Sequence, residues 1–266
     1  MKKLSVLAIA FAAVMLAACG GKKSEQAADA DTLKSFEQQQ IEASIKMHFD
    51  SIAAEIGKLQ QPAFLTEGEN GLTLTKEEKQ VKPDYLLSAA VADEATTLAE
   101  KYRTLAAINV DKKIATLYEM PTEDYDKAVA QLAADINDPS FKAIDDTNTI
   151  FETTQKLYDA MEQNGRINYF WQLASAALVE QLYVANQNTD KFLSVINDEA
   201  ASNLTYRIVL ILDAVSRLSQ YDRDIEPVAQ AIAPLDVLNA TTVAELKSQM
   251  AEAKEKIEAA RKALIK

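Results

Sequence analysis

Apolar residues recur at steps of three and four along most of the chain between residues 32 and 266. This spacing puts them on one face of an α-helix, and such a face is stable only when it is buried against neighbouring helices. The pattern therefore predicts one all-α domain over 32–266, an irregular bundle of about eight helices. Pro62 and two glycines interrupt the pattern over 61–82, which leaves open a short hairpin at Asn70-Gly71 or a long loop.

Two local signals set helix boundaries in the next part of the chain. Pro83-Asp84 is typical of a helix start, and apolar residues over 86–105 follow at helical spacing. The polar residues in Asn109-Val110-Asp111 predict a break before the following helix, which Pro121 ends. We therefore expect two helices separated by a bend.

The stretch over residues 167–184 is apolar on most of its faces. A helix of this character is buried, so we expect it at the centre of the bundle. Glu180 lies inside this stretch, and a buried carboxylate is costly unless it is paired. The next long helix offers Arg207 as a partner, so the sequence predicts a Glu180–Arg207 pair, joined by Gln172 or Tyr183, that fixes the helix register.

The C-terminal helix is predicted to begin at a capping box, Thr242-x-x-Glu245. Its apolar residues then follow a heptad seam: Val243, Leu246, Met250, Ala253, Ile257, Ala260 and Leu264. We expect this seam over 243–264 to dock on the bundle itself. Self-association is the less favoured alternative, because three heptads with two alanines make a weak coiled coil. Arg261 lies near the helix end, where a cation suits the helix dipole.

The first eighteen residues have a different composition. Two lysines precede an uncharged apolar run over 4–18, which is shorter than the ~20 residues needed to span a bilayer. A basic start, a short apolar run and small final residues indicate a secretory signal over 1–18. The segment Leu16-Ala17-Ala18-Cys19 resembles the bacterial lipobox. This resemblance implies that Cys19 is acylated and becomes the first residue of the mature chain.

Residues 19–31 are small and polar after Cys19, which predicts a flexible, disordered tether between the lipid and the domain. Gly20 stands where an aspartate would resemble an inner-membrane retention signal, so we expect attachment to the outer membrane. The tether also lacks the acidic run associated with surface export in Bacteroidetes. The expected location is therefore the periplasmic face of the outer membrane.

The charge balance restricts the partners of the domain. The chain contains 28 lysines and arginines against 40 acids, and residues 1–18 contain two of the lysines and no acid. The mature chain therefore has a formal charge of −14. Such a surface repels phosphates, which argues against a nucleic-acid partner, and it also repels anionic headgroups. Membrane binding must then come from the lipid on Cys19.

Few residues offer metal or nucleophilic chemistry. Cys19 is the only cysteine and His48 is the only histidine, placed at the edge of an apolar stripe. The segment 186–190 begins like a calcium loop but lacks the required glycine and glutamate, and the acidic segment 222–226 fits a solvated turn. We therefore predict no catalytic residue, no metal and no cofactor.

The central helix also carries a family likeness. The residues that carry it are Trp171, the segment Ala177-Leu178-Val179-Glu180-Gln181-Leu182-Tyr183, the segment Tyr206-Arg207-Ile208 and the pattern Ala128-Val129-x-x-Leu132-Ala133-x-x-Ile136. Together they resemble a group of uncharacterised lipoproteins from Bacteroidetes-type bacteria. This resemblance implies an all-helical exported lipoprotein and no catalytic activity.

These patterns favour a membrane-anchored lipoprotein with a non-enzymatic binding or structural role and an envelope protein as its partner. The alternative is a carboxylate-based hydrolase of envelope glycans, because a pair of acids can supply both the proton and the nucleophile or base. A deep cleft with two converging acids would favour the hydrolase. A shallow apolar patch or groove would favour partner binding.

Overall fold

The computed structural model describes residues 35–56, 65, 71–143 and 150–265, and the regular structure within these ranges is helical. In chain order the α-helices are α1 (Phe36–Ile56), α2 (Lys76–Gln80), α3 (Val91–Glu94), α4 (Leu98–Leu117), α5 (Glu123–Ile136), α6 (Ile150–Gln163), α7 (Ile167–Gln187), α8 (Thr189–Phe192), α9 (Asp198–Leu218), α10 (Glu226–Ile232), α11 (Val243–Glu252) and α12 (Lys254–Leu264). Short 3₁₀ turns lie at Pro139–Ala143, Leu193–Val195 and Ala233–Val237. Eight of these helices have ten residues or more, which confirms the all-α prediction, and the short ones account for the larger number of helices.

Some predictions concern residues outside the described ranges. The signal over 1–18, the acylated Cys19 and the tether over 19–31 all lie there. Of the interrupted stretch 61–82, residues 65 and 71–82 are described, and they contain the helix α2 in place of a strand.

Helix α7 lies at the centre of the bundle, as its apolar sequence predicts. Thirteen of its residues are buried, and it packs against α4, α6, α9, α10, α11 and α12. Helix α4 runs beside it in the same direction, because Arg103 contacts Gln172 near one end while Asp111 lies close to Glu180 further along. The α4–α7 pair is therefore the frame on which the polar clusters described below are built.

The predicted break at residues 109–111 is wrong, because α4 continues through all three. Asn109 Nδ2 donates to the carbonyl oxygen of Leu105 at 2.9 Å, so this amide is satisfied within the helix itself. Asp111 is fully buried and accepts a hydrogen bond from the backbone of Leu87. Both polar side chains thus find partners without the chain having to leave the helix.

Threonine side chains fix the starts of several helices. Helix α4 begins directly after Thr97, not at Pro83, because Thr97 and Glu100 form a capping box with hydrogen bonds of 3.2 and 2.9 Å. Thr242 caps α11 in the predicted way, accepting from the backbone of Glu245 at 3.2 Å. The carboxylate of Glu245, however, reaches back to the backbone N–H of residue 241 at 2.9 Å.

The predicted C-terminal helix is divided at Ala253 into α11 and α12. The inner seam positions are at most 2% exposed: Leu246, Met250, Ala253, Ile257, Ala260 and Leu264. Helix α11 packs on α7, α8 and α9, and α12 packs on α7 and α10. The seam therefore docks within its own chain, where residues from Phe36 onward form one compact unit. Among the described residues, no helix has both the length and the apolar character that crossing a membrane requires.

Candidate functional site

Two acidic side chains converge in the core of the bundle. Asp111 projects from α4 and Glu180 from α7, and both residues are 0% exposed. They lie at the same level of the α4–α7 pair, eight residues beyond the contact between Arg103 and Gln172 on each helix. Two carboxyl groups this deep in a core are costly unless cations and hydrogen-bond donors compensate for the lost hydration.

Arg261 of α12 supplies the cation. Its Nε lies 3.0 and 2.8 Å from the two oxygens of Glu180, and its Nη2 lies 2.8 Å from Glu180 Oε1. The same Nη2 lies 3.8 Å from Asp111 Oδ2. The guanidinium group of Arg261 therefore binds the Glu180 carboxylate in a bidentate geometry, which is the strong form of an arginine–carboxylate pair. The same group lies near both acids.

The predicted pairing of Glu180 with Arg207 is wrong. Glu180 is buried and paired as expected, but its partner is Arg261. Arg207 instead donates to Gln181 Oε1 at 3.4 Å. Consecutive residues on a helix point about 100° apart, so the side of α7 that carries Gln181 meets α9 while the side that carries Glu180 meets α12.

Only one of the two side chains that were expected to join the Glu180 pair contacts it. Tyr183 does join it, because the guanidinium carbon of Arg261 lies 3.9 Å from the centre of the Tyr183 ring, in a cation–π contact. Gln172 belongs elsewhere: it accepts from Arg103 Nη1 at 2.6 Å and donates to the carbonyl oxygen of Asp224 at 2.7 Å.

A backbone segment between α2 and α3 closes the cluster. Leu87 N donates to Asp111 Oδ2 at 2.7 Å, and the hydroxyl of Tyr125 donates to the carbonyl oxygen of Leu87 at 2.7 Å. Arg261 Nη2 also donates to the carbonyl oxygen of Tyr85 at 3.3 Å. The cluster therefore joins three long helices and holds the segment around residues 85–87 over them.

The environment of the cluster raises the pKa of Asp111 and of Arg261. Burial and the nearby charge of Glu180 raise the pKa of Asp111 to about 9. Burial opposes the charge on Arg261, but the hydrogen bonds and charge of Glu180 raise its pKa. Asp111 Oδ1 is buried and has no hydrogen-bond partner among the described residues, so it lacks the donor that a buried ionised carboxylate needs. The protonated form of Asp111 is therefore favoured at neutral pH.

A second polar cluster, which the sequence reasoning missed, lies at the other end of the α4–α7 pair. The Tyr102 hydroxyl donates to Asp138 Oδ2, Ser140 N donates to Asp138 Oδ1 at 2.8 Å, and Arg166 Nη1 donates to the Tyr102 hydroxyl at 3.1 Å. Burial alone would raise the pKa of Asp138, but these hydrogen bonds lower it. The sequence here is Asn137-Asp138-Pro139-Ser140, which is typical of a helix end and contains no local pattern that points to Tyr102 or Arg166.

An open groove of about 420 Å³ lies between α9 and the segment that contains α10 and the following 3₁₀ turn. Its apolar lining comes from Ile208, Val209, Leu212, Ala229, Ala233 and Leu238. Its polar lining comes from Asp213, Ser216 and Asp236. Val209 is 49% exposed, and Tyr206, one turn earlier on α9, is 60% exposed. The groove is therefore an accessible apolar surface with acidic side chains at its edges.

The remaining candidate segments have structural partners. His48 is a boundary residue whose Nδ1 lies 3.8 Å from Asp213 Oδ2 at the surface. Within 186–190, the Asn188 side chain accepts from the backbone N–H of Lys191 and caps α8. Within 222–226, Asp222 accepts from the backbone of residue 224. No group of three or more His, Cys, Asp or Glu residues in the described ranges is arranged to hold a metal ion.

Comparison with known proteins gives no precedent for either the buried cluster or the groove. No protein-family model matches the chain, and no curated protein or solved structure matches it. The assignment of a function therefore rests on the chemistry of the residues described above.

Proposed function

We propose that this protein is a lipid-anchored lipoprotein of the cell envelope with a non-enzymatic binding or structural role. The lipobox-like segment ending at Cys19 supports the anchor, and the likeness of the segments 128–136, 171–183 and 206–208 to exported lipoproteins supports the same location. Gly20 in place of an aspartate favours the outer membrane, and the lack of an acidic run in the tether favours its periplasmic face. The mature charge of −14 makes the lipid, not the protein surface, the source of membrane affinity.

The burial of the two converging acids carries the non-enzymatic part of the proposal. Asp111 and Glu180 come from separate helices, as the acids of a hydrolase would, but each is 0% exposed. Arg261 donates hydrogen bonds to both oxygens of Glu180, and the backbone N–H of Leu87 donates to one oxygen of Asp111. Substrate atoms would have to displace these partners from a packed core, so we assign the acids to holding α4, α7 and α12 together.

The anchor is tested by metabolic labelling of the full chain with a palmitate analogue. We expect label in the wild-type protein, and loss of both label and membrane association in Cys19→Ala. Ser24→Ala, a substitution of similar size in the predicted tether, is the matched control and should keep both. Label that persisted in Cys19→Ala would contradict the lipid anchor.

One observation favours the alternative, a carboxylate-based hydrolase of envelope glycans. Asp111 lies beside a second carboxyl group, and its pKa is raised to about 9, as a general acid in glycoside cleavage requires. The test is release of soluble fragments from purified envelope glycan by the full chain, compared with Asp111→Asn. Cleavage that Asp111→Asn abolished while keeping the helical content of the wild type would replace the non-enzymatic proposal. We expect no release by either protein.

A further inference from the structure

The groove on α9 has an apolar floor that the described residues leave uncovered. Val209 and Leu212 lie on its α9 side. The rest of the apolar lining comes from Ala229 of α10, Ala233 of the following 3₁₀ turn and Leu238 directly after that turn. The alanines leave space between the elements, and Val209 remains half exposed. Exposed apolar surface rimmed by polar residues is typical of a binding site.

Exposed and half-buried residues of α9 form a stripe about as long as a short helix. Tyr206, Val209, Leu212 and Ser216 follow one another at steps of three and four. At 1.5 Å per residue this stripe is about 15 Å long, close to three helical turns. A helix laid into a groove makes contacts at the same spacing, so the shape suits a helical occupant of about this length.

The rim of the groove is acidic. Asp213 lies on α9 and is paired with Arg217 at 2.8 Å. Asp236 is exposed on the opposite side and forms no ion pair with any described residue. A cationic side chain on the occupant would find an unpaired acid at Asp236, in a mature chain that already carries a charge of −14.

Charge also argues against other occupants. A second copy of this chain would bring its own Asp213 and Asp236 toward the same acids. A fatty acid or an anionic headgroup would place a negative charge beside them. Like charges in such a position oppose binding.

We infer that the groove binds a short amphipathic helix of an envelope protein, with an apolar stripe for Val209 and Leu212 and a lysine or arginine for Asp236. This deepens the binding role proposed above by giving the partner's chemistry. It does not depend on the lipid anchor, so failure at the groove and failure of Cys19 labelling are separately visible.

The inference is tested with two synthetic peptides of about four helical turns. Both carry leucines at steps of three and four, and their flanks carry lysines in one peptide and glutamates in the other. Binding to the full chain is followed by fluorescence anisotropy of the labelled peptide at low salt. We expect the lysine peptide to bind about tenfold more tightly, because the rim acids attract it and repel the other.

Two substitutions locate the binding surface. Val209→Gln should weaken the lysine peptide about tenfold, since it places a polar group on the apolar floor. Asp236→Lys should weaken the lysine peptide about threefold and strengthen the glutamate peptide. Val81→Gln and Glu255→Lys make the same chemical changes at exposed positions outside the groove and should leave both affinities unchanged. Unchanged helical content in each variant excludes unfolding as the cause.

Several outcomes would overturn the inference. They are equal binding of the two peptides, binding of neither, and loss of affinity in Val81→Gln as large as that in Val209→Gln. Binding of a fatty acid that Val209→Gln abolished would make the groove a lipid site. A dimer of the wild-type chain that Val209→Gln converted to monomer would make it a self-association surface.

Discussion

The two ends of the α4–α7 pair each hold a buried aspartate near an arginine, and the two aspartates respond in opposite ways. Asp138 receives hydrogen bonds from Tyr102 and Ser140 and has a lowered pKa. Asp111 receives one hydrogen bond, from Leu87, and shares its arginine with Glu180, and its pKa is raised. The end that holds Asp138 thus favours an ionised aspartate, and the end that holds Asp111 favours a protonated one.

The difference teaches that burial alone does not decide the charge of an acid in this core. Asp138 and Asp111 are both buried, at 6% and 0% exposure. What differs is the number of donors to each carboxyl group and the number of acids that share one cation. Where one arginine serves two acids, as Arg261 does, the second acid is stabilised by keeping its proton.

Removing the shared cation should have the largest effect. Arg261→Met leaves Glu180 buried without its partner, and we expect it to lower the free energy of unfolding by about 3–5 kcal/mol. Urea unfolding of the full chain, followed by circular dichroism, measures this loss. Arg217→Met breaks the surface pair with Asp213 and is the control, with an expected loss of about 0.3–0.5 kcal/mol. Equal losses in the two variants would rule out a shared buried cation.

The next largest effect is expected from removing the negative charge of Asp138, at the other end of the α4–α7 pair. Asp138→Asn weakens the hydrogen bonds from Tyr102 and Ser140, and we expect a loss of about 1.5–3 kcal/mol at neutral pH. Because the pKa of Asp138 is lowered on folding, its contribution is present above the ordinary aspartate pKa and is lost as pH falls through the folded value. The deficit measured by urea unfolding should therefore shrink below about pH 4. Asp124→Asn, at an exposed surface pair, should show no such deficit.

Replacing Arg207 should have the smallest effect on the free energy of unfolding. Burial lowers its pKa, and the described residues offer it Gln181 but no carboxylate within ion-pair distance. Arg207→Met should therefore change the free energy of unfolding by less than about 1 kcal/mol, with stabilisation the expected direction. A loss of stability as large as that of Arg261→Met would indicate that Arg207 pairs with Glu180, as the sequence predicted.

The sequence was a good guide to burial along single helices. The apolar run over 167–184 identified the central helix, and Glu180 inside it identified a buried carboxylate. Both inferences depend on the 3.6-residue period, which is a local property of the chain. The seam over 243–264 was recognised for the same reason, although Ala253 divides it.

Partners that are distant in the sequence could not be predicted in this way. Arg261 lies 81 positions from Glu180, and its place near a helix end suggested only an interaction with the dipole. Asp111 was assigned to a helix break because a polar residue suits one, yet a donor from Leu87 keeps it inside α4. Which helix faces which side of α7 is set by the packing of the whole bundle, and no local pattern contains that information.

The most direct test of the central claim, that Asp111 is a protonated structural acid, is the pH dependence of unfolding. Between about pH 4 and pH 9 the folded chain holds a proton at Asp111 that the unfolded chain has released, so this residue lowers stability as pH rises. Asp111→Asn cannot ionise and should remove this slope, so its stability relative to wild type should increase steadily from pH 5 to pH 9. A difference that stays constant, or that turns in favour of the wild type at high pH, would show that Asp111 is ionised in the folded protein and contradict the account.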